Sequence, residues 1–367
     1  MEADAAQGLR LRVRRISRPA EGIWGYELVS GDGTALPEFT AGAHVSVRTP
    51  GGYERKYSLC NDPEERDRYE IAVLRDSGGR GGSVDLTDQV CEGDDLEVSL
   101  PRNDFPLVPA AAGYLFIAGG IGITPILSMI RQLRATGAAR CRLIYLTRSA
   151  AQAAFADELN RPEWQGQVVM HHDEGDPERA FDLWPLLEKP AGRHVYCCGP
   201  AGLMNAVRDM TGHWPSSSVH FEAFADAAVV KADDVPFTVR LARSGACVAV
   251  PVGQSILEAL RAAGHDLPSS CESGSCGTCR TQLIRGPVDH RDFVLREDEH
   301  DTHIMICVSR SVGGVELEID VGSAATPGCG WAGASLYHHV ADPECRRAVR
   351  PGCCLRSARR GARSVCP

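Results

Sequence analysis

Cys271-Glu-Ser-Gly-Ser-Cys276-Gly-Thr-Cys279, CESGSCGTC, places three thiols in one short loop. The spacing is C-x4-C-x2-C, and Cys307 in IMICVSRS follows as a distant fourth. That is the plant-type arrangement for a 2Fe-2S cluster, whose two irons need four thiolates. The residues between the cysteines are small (Ser273, Gly274, Ser275, Gly277, Thr278), so backbone N–H groups can turn inward and donate to sulfur. A structural zinc site is the competing assignment, but zinc favours paired C-x2-C knuckles, and this loop has one short pair plus an upstream thiol.

Working outward, FTVRLARSGACVAVPV alternates on both sides of Ser244-Gly245 and predicts a hairpin. SILEALRAAG follows, with Ser255 and Glu258 at capping-box spacing and Gly264 as a stop. Hairpin, helix and cysteine loop make a compact cluster-binding domain, expected over 235–322. The stretch 225–236, ADAAVVKADDVP, has the look of a linker.

Upstream of it, over 109–226, strands alternate with helices. YLFIAGG predicts a buried strand, Ile126, Ile130 and Leu133 recur at helical spacing up to Gly137, and CRLIYLT, VVMHH and HVYCCG are further strands. Helical segments are expected near AFADELN and GLMNAVRDM. This rhythm implies a parallel α/β sheet with right-handed crossovers. Residues 1–108 instead show short alternating strands (Leu9, Leu11, Val13; Val45, Val47; Tyr69, Ile71, Val73; Leu96, Val98, Leu100), as in an antiparallel barrel or sandwich. The tail 323–367, with seven arginines, two acids and five cysteines, has no strong hydrophobic period and is expected to be disordered.

Three further motifs suit anionic or planar ligands. RKYSLCND from Arg55, with Gly81-Gly82-Ser83 before a possible helix, offers converging N–H groups, a guanidinium and a tyrosine ring; a glycine-rich tight turn is the plainer reading. AGGIGITP, residues 118–125, joins a strand to a helix, where glycines admit either a pyrophosphate or close backbone packing; it is not G-x-G-x-x-G. YCCGPAGLM puts Cys198 at a carboxyl strand edge, where ligands bind in parallel sheets, although a buried cysteine also serves as a small hydrophobe.

A net charge of -9 argues against nucleic acid as the main partner. The run Ala110–Leu127 is broken by glycines and Pro125, so it is no membrane span, and the N-terminus lacks the order of a secretory signal; a cytoplasmic protein is expected. Fifteen cysteines in a reducing compartment favour a metal role for the clustered ones over disulfides.

Together these motifs resemble the ferredoxin-NADP reductase superfamily carrying a C-terminal plant-type ferredoxin, and are similar to the phthalate dioxygenase reductase and vanillate demethylase reductase family. SLPRNDFPL, MTGHWPSSSVHFEAF and DHRDFVLREDE add to the likeness, which covers residues 8–322. The resemblance implies FMN on a six-stranded antiparallel barrel, NADH on the α/β domain and a 2Fe-2S cluster on a β-grasp domain, held by Cys271, Cys276, Cys279 and Cys307. It assigns Arg55, Tyr57 and Ser58 to the flavin motif, Ala72, Val73 and Leu74 to the strand facing the flavin ring, and Gly81, Gly82 and Ser83 to its phosphate. Thr124 and Phe224 then border the flavin from the next domain, Gly119, Gly120, Gly122 and Cys198 line the nicotinamide side, and Ser58, Thr124 and Cys198 surround the reacting atoms. Lys56 and Asn61 receive no chemistry.

Nicotinamide surrenders two electrons as hydride, whereas the cluster accepts one, so the chemistry itself calls for a flavin between them. The expected activity is that of a monomeric NADH-dependent reductase serving a terminal Rieske-type oxygenase that acts on an aromatic acid. Another one-electron acceptor, or a non-enzymatic iron–sulfur sensor, are the alternatives. Arg148, after LIYLT, suits a 2′-phosphate, so the preference for NADH rests on the resemblance.

Overall fold

The computed structural model describes residues 8–108, 112–137, 140–224 and 231–321. The tail 323–367 and the first part of the expected linker, 225–230, lie outside the described residues.

Strands β1 (Leu9–Ala20), β2 (Ile23–Ser30), β3 (His44–Arg48), β4 (Glu54–Ser58), β5 (Tyr69–Leu74) and β6 (Asp95–Val98) form an antiparallel sheet in the order β4-β3-β6-β1-β2-β5. In β1, Leu11 and Val13 turn inward while Arg10, Arg12 and Arg14 face water, the period of a half-buried strand. A register shift between Val13 and Arg15 interrupts the β1–β2 ladder, and such bulges increase local twist and curl. Beyond β4, Leu59 bridges Ile71 of β5, and the Cys60 N–H donates to the Glu70 carbonyl (2.8 Å), so the two edge strands meet and the sheet closes as a barrel. Leu100 lies past the end of β6 and is largely exposed, because the chain leaves the sheet before Pro101. Helix α1 (Gly82–Gln89) starts immediately after Gly81, whose φ of 81° is in the left-handed region.

The second layer alternates β7 (Tyr114–Gly119), α2 (Ile123–Thr136), β8 (Cys141–Thr147), α3 (Ala156–Leu159), β9 (Val168–His172), α4 (Trp184–Leu187), β10 (His194–Cys198), α5 (Ala201–Met210) and β11 (Val219–Glu222). The strands are parallel, in the order β11-β10-β7-β8-β9. Every residue of β7 is buried, as a central strand covered on both faces requires. Helix α2 ends on Gly137 at φ 62°, whose N–H returns to the carbonyls of Leu133 and Arg134. Successive strands are added on one side of β7 through β9 and on the other from β10, and this reversal of strand order opens a crevice at the carboxyl ends of β7 and β10.

Barrel and parallel sheet share a core in which Ile23, Ala41, Cys60 and Ala72 pack with Ile123, Ile126 and Met129. Arg131 of α2 crosses this boundary, donating to the Cys60 carbonyl (2.9 Å) and to the carboxylates of Glu70 (3.0 Å) and Glu158 (2.6 Å). Asn61 has a structural part: its amide donates to three carbonyls, of Asp62, Glu65 and Arg68, while its oxygen accepts from the Glu70 N–H.

The third unit comprises the hairpin β12 (Phe237–Leu241) and β13 (Cys247–Val250), helix α6 (Ile256–Ala262), then β14 (Arg280–Arg285), β15 (Val288–Asp289), β16 (His303–Met305), β17 (Arg310–Ser311) and β18 (Leu317–Asp320). Its main sheet runs β13-β12-β18-β14-β16 with β12 and β18 parallel at the centre, a β-grasp arrangement with a core of its own. Gly245 turns the hairpin at φ 70°, and the Ser255–Glu258 capping box opens α6. Lys231 and Asp234, from the end of the expected linker, are ion-paired to Asp289 (2.9 Å) and Arg291 (2.5 Å). The buried Arg310 guanidinium, near Asp234, donates to the carbonyls of Gln254, Val235 and Pro251.

Candidate active site and cluster loop

The cysteine loop folds as its composition implies. The Cys271 sulfur accepts the N–H groups of Ser273 and Ser275 (3.4 Å each), and the Cys276 sulfur accepts the Cys271 N–H (3.4 Å). Gly274, at φ 77°, lets the loop fold over its neighbours: a Cβ there would lie 2.7 Å from Val308 and 3.1 Å from the Asp292 backbone. The four thiols are neighbours in two pairs, Cys271 with Cys276 and Cys279 with Cys307. In each pair the first thiol ionises more readily, since its partner and nearby backbone N–H groups donate to it; Cys271 is held down to about 4. Two pairs of thiols, with inward N–H donors, fit a two-iron cluster better than zinc.

On the barrel, Arg55 of β4 lies beside the start of α1. Its guanidinium donates to the Arg80 carbonyl (3.0 Å), and a Cβ on Gly82 would come within 2.6 Å of Arg55 Nε. Gly81 caps α1 without a side-chain hydrogen bond, so the first backbone N–H groups of the helix stay available to an anion. Asp85, the acid of the first turn, is turned back to accept the Gly51 N–H (2.7 Å). A cationic side chain, open helix N–H groups and a position closed to any side chain fit the phosphate of FMN. The Ser83 hydroxyl is directed elsewhere, accepting the Asp76 N–H at 3.1 Å. Ala72 and Val73 are buried in β5, and Leu74 is substantially exposed.

At the crevice, Ala118, Cys198 and Glu222 lie in register across β7, β10 and β11. Gly122 packs directly on β10: a Cβ there would be 2.2 Å from the Cys198 carbonyl oxygen. Gly119 is also tight, against the side chains of Pro200 (2.6 Å) and Leu203 (2.8 Å), so these two glycines serve close packing. Gly120, at φ 54°, has nothing within 4 Å of its missing Cβ and faces open space. Thr124 is buried and its hydroxyl donates to the Ile121 carbonyl (3.0 Å). Phe224, half-buried, packs on the shared core. Burial, reinforced by Glu222, raises the Cys198 thiol far above its usual range, so it stays neutral.

Glu222 was not singled out by sequence. It is buried, and Ser58 of the barrel donates to it at 3.3 Å, joining flavin motif and nucleotide sheet. Burial pushes its carboxyl up to about 8, the Ser58 hydrogen bond opposes this, and the negative charges of Cys271 and Asp104 add to it. Its one sequence signal is its place in MTGHWPSSSVHFEAF, two residues before Phe224. Since the folded carboxyl keeps its proton where the unfolded one loses it, stability is highest below the ordinary value of 4.5 and falls as pH rises toward about 8. Glu222→Gln is therefore expected to flatten the pH dependence of unfolding across that window, removing a slope worth on the order of 5 kcal/mol, as read by denaturant titration at several pH values.

Residues 239–312 match the 2Fe-2S iron-sulfur cluster binding domain family, and residues 116–209 the oxidoreductase NAD-binding domain family. The phthalate dioxygenase reductase of Burkholderia cepacia is 55% identical over 315 residues, 85% of this chain and 97% of that one. The chain belongs to the phthalate dioxygenase reductase family. A phthalate 4,5-dioxygenase oxygenase reductase subunit of Pseudomonas putida is 54% identical over 302 residues, covering 82% of this chain and 93% of that protein. A solved phthalate dioxygenase reductase, described as a modular structure for electron transfer from pyridine nucleotides to [2Fe-2S], aligns with a TM-score of 0.68 at 54% identity over 85% of this chain and 98% of its own. Like other members of the phthalate dioxygenase reductase family, the chain is an oxidoreductase that uses NADH, FMN and a 2Fe-2S cluster. The zinc and sensor alternatives fall with that membership. Among the described residues no helix is long and apolar enough to cross a membrane.

Proposed function

We propose that this reductase takes hydride from NADH at the β7–β10 crevice and delivers electrons singly to a Rieske-type oxygenase acting on an aromatic acid. When bound, FMN supplies the conversion between paired and single electrons, and the cluster the one-electron outlet. Arg55, Gly82 and the N-terminus of α1 hold the flavin phosphate, with Tyr57 and the β5 backbone of Ala72, Val73 and Leu74 against the ring. Gly120, Thr124 and Cys198 shape the nicotinamide side, and Phe224 borders the flavin. Ser58 and Glu222 keep a proton at their junction, close to where hydride arrives. Cys271, Cys276, Cys279 and Cys307 hold the irons. The protein acts as a monomer in the cytoplasm.

The observation that carries this reading is convergence: the flavin motif touches Glu222 of the nucleotide sheet through Ser58 and the cluster loop through Lys56, and Asp104 of the same barrel domain meets that loop too. Coupled assays test it. NADH consumption with a purified phthalate oxygenase component should rise on adding aromatic acid, while cytochrome c reduction without any oxygenase would persist under either acceptor. No stimulation by any Rieske oxygenase would point to another acceptor. Arg55→Gln, which removes a charged partner of the phosphate, should weaken FMN retention by roughly 10–100-fold, measured as flavin fluorescence released on dilution.

A further inference from the structure

Two barrel residues meet the cluster loop at one residue. Ser270, immediately before Cys271, places its hydroxyl 2.6 and 2.8 Å from the two carboxylate oxygens of Asp104. Its carbonyl accepts from the Lys56 ammonium. Lys56 stands on β4 between Arg55 and Tyr57, and Asp104 lies in the segment after β6. That segment is stiff: Asn103 donates to the Thr40 hydroxyl (2.6 Å) and the Ala41 carbonyl (3.0 Å) and accepts the Phe105 N–H (2.9 Å), while Phe105 is buried against Tyr196. On the other side, the Cys271 N–H donates to the Cys276 sulfur, so Ser270 is one peptide from the first thiol pair.

We propose that Asp104, Lys56 and Ser270 form a clasp that holds the first cysteine-bearing turn of the cluster loop against the flavin-binding barrel and so fixes the flavin-to-cluster separation. They are positioning residues, and the inference rests on the electron route proposed above. Electron transfer weakens steeply with distance, so a loop free to lift would slow the single-electron step, whereas hydride transfer from nicotinamide to flavin does not pass through this loop. Opposite charges on one serine give the clasp direction: the carboxylate takes the hydroxyl proton and the ammonium takes the carbonyl, each a charge-assisted hydrogen bond. Elsewhere the ferredoxin unit is held from α5, where Arg208 donates to the Asp292 carbonyl (3.2 Å) and lies over the Phe293 ring (5.5 Å). That contact secures the unit, and the clasp acts on the loop that carries the ligands.

The test compares wild type with Ser270→Ala, Asp104→Asn and the hydroxyl-retaining Ser270→Thr in cluster-loaded protein. Amide hydrogen exchange over residues 268–276 reports loop opening, and anaerobic stopped-flow absorbance separates flavin reduction by NADH from the following cluster reduction. Loss of a charge-assisted bond should speed exchange and slow the second phase by about tenfold each in Ser270→Ala and Asp104→Asn. The first phase should be unchanged, and Ser270→Thr should match wild type. Unchanged exchange and second phase in both disrupting variants would overturn the clasp, as would equal slowing of both phases. Should Ser270→Ala fail to hold its cluster, Asp104→Asn decides, because that substitution lies outside the cluster unit. A wild type without a cluster-reduction phase would refute the electron route instead, and the exchange comparison would still judge the clasp.

Discussion

Cys307→Ser is expected to abolish the iron–sulfur absorbance and to bring NADH-dependent cytochrome c reduction down to background, with NADH-to-flavin reduction intact. Cys307 pairs with Cys279 at a buried position, so its loss removes a ligand that no other thiol in the loop can replace. Serine also puts a weaker metal-binding group among Ile304, Ile306 and Val308, and the ferredoxin core is expected to loosen. The flavin and nucleotide cores draw on other residues, which is why the first reaction should survive. Anaerobic stopped-flow at the flavin band, beside cytochrome c turnover, checks both halves. Loss of flavin reduction as well would show that the units are not separable.

The second large effect is expected at Gly122. Its φ of -61° suits any residue, so a substitution there meets overlap and no backbone strain. A Cβ would stand 2.2 Å from the Cys198 oxygen, at the end of the β10 ladder, and 2.8 Å from the Gly199 nitrogen, both backbone atoms. Gly122→Val must push α2 away from β10 and open the crevice. A displacement of that kind commonly costs about 100-fold in rate, and a comparable loss in NADH-dependent flavin reduction is expected, with flavin and cluster content retained. Gly120→Ala makes the informative contrast: it meets no neighbour and carries only the left-handed cost of φ 54°, about 1–2 kcal/mol. Wild-type flavin reduction by Gly122→Val would contradict the close packing of the start of α2 on the end of β10.

These residues also show what a sequence reveals. Cys271 to Cys279 and Cys307 were legible because cluster binding dictates residue type and spacing within a short loop. The buried strand at Tyr114, helix α2 up to Gly137, the hairpin at Gly245 and the Ser255–Glu258 cap were legible because periodicity and capping are local. β2 escaped because Trp24 and Gly25 interrupt its alternation, and β4 because its residues, Glu54 to Ser58, are mostly polar. Glu222 is one of 48 acids, and only folding sets it against Ser58, 164 positions away in sequence. Asp104 and Ser270 are separated by 166 positions, and nothing in either segment announces the other. The turn and helix start at AGGIGITP were legible, but which glycine does what was not: Gly119 and Gly122 serve packing, and Gly120 alone of the three faces open space.

The central claim is that one chain converts a paired donor into single electrons through a flavin and hands them to four cysteines. Stepwise anaerobic addition of NADH to the purified protein, with absorbance recorded from the near ultraviolet through the visible, tests it most directly. Bleaching of the flavin and iron–sulfur bands within the same titration is expected. A cluster band untouched after full flavin reduction would contradict it.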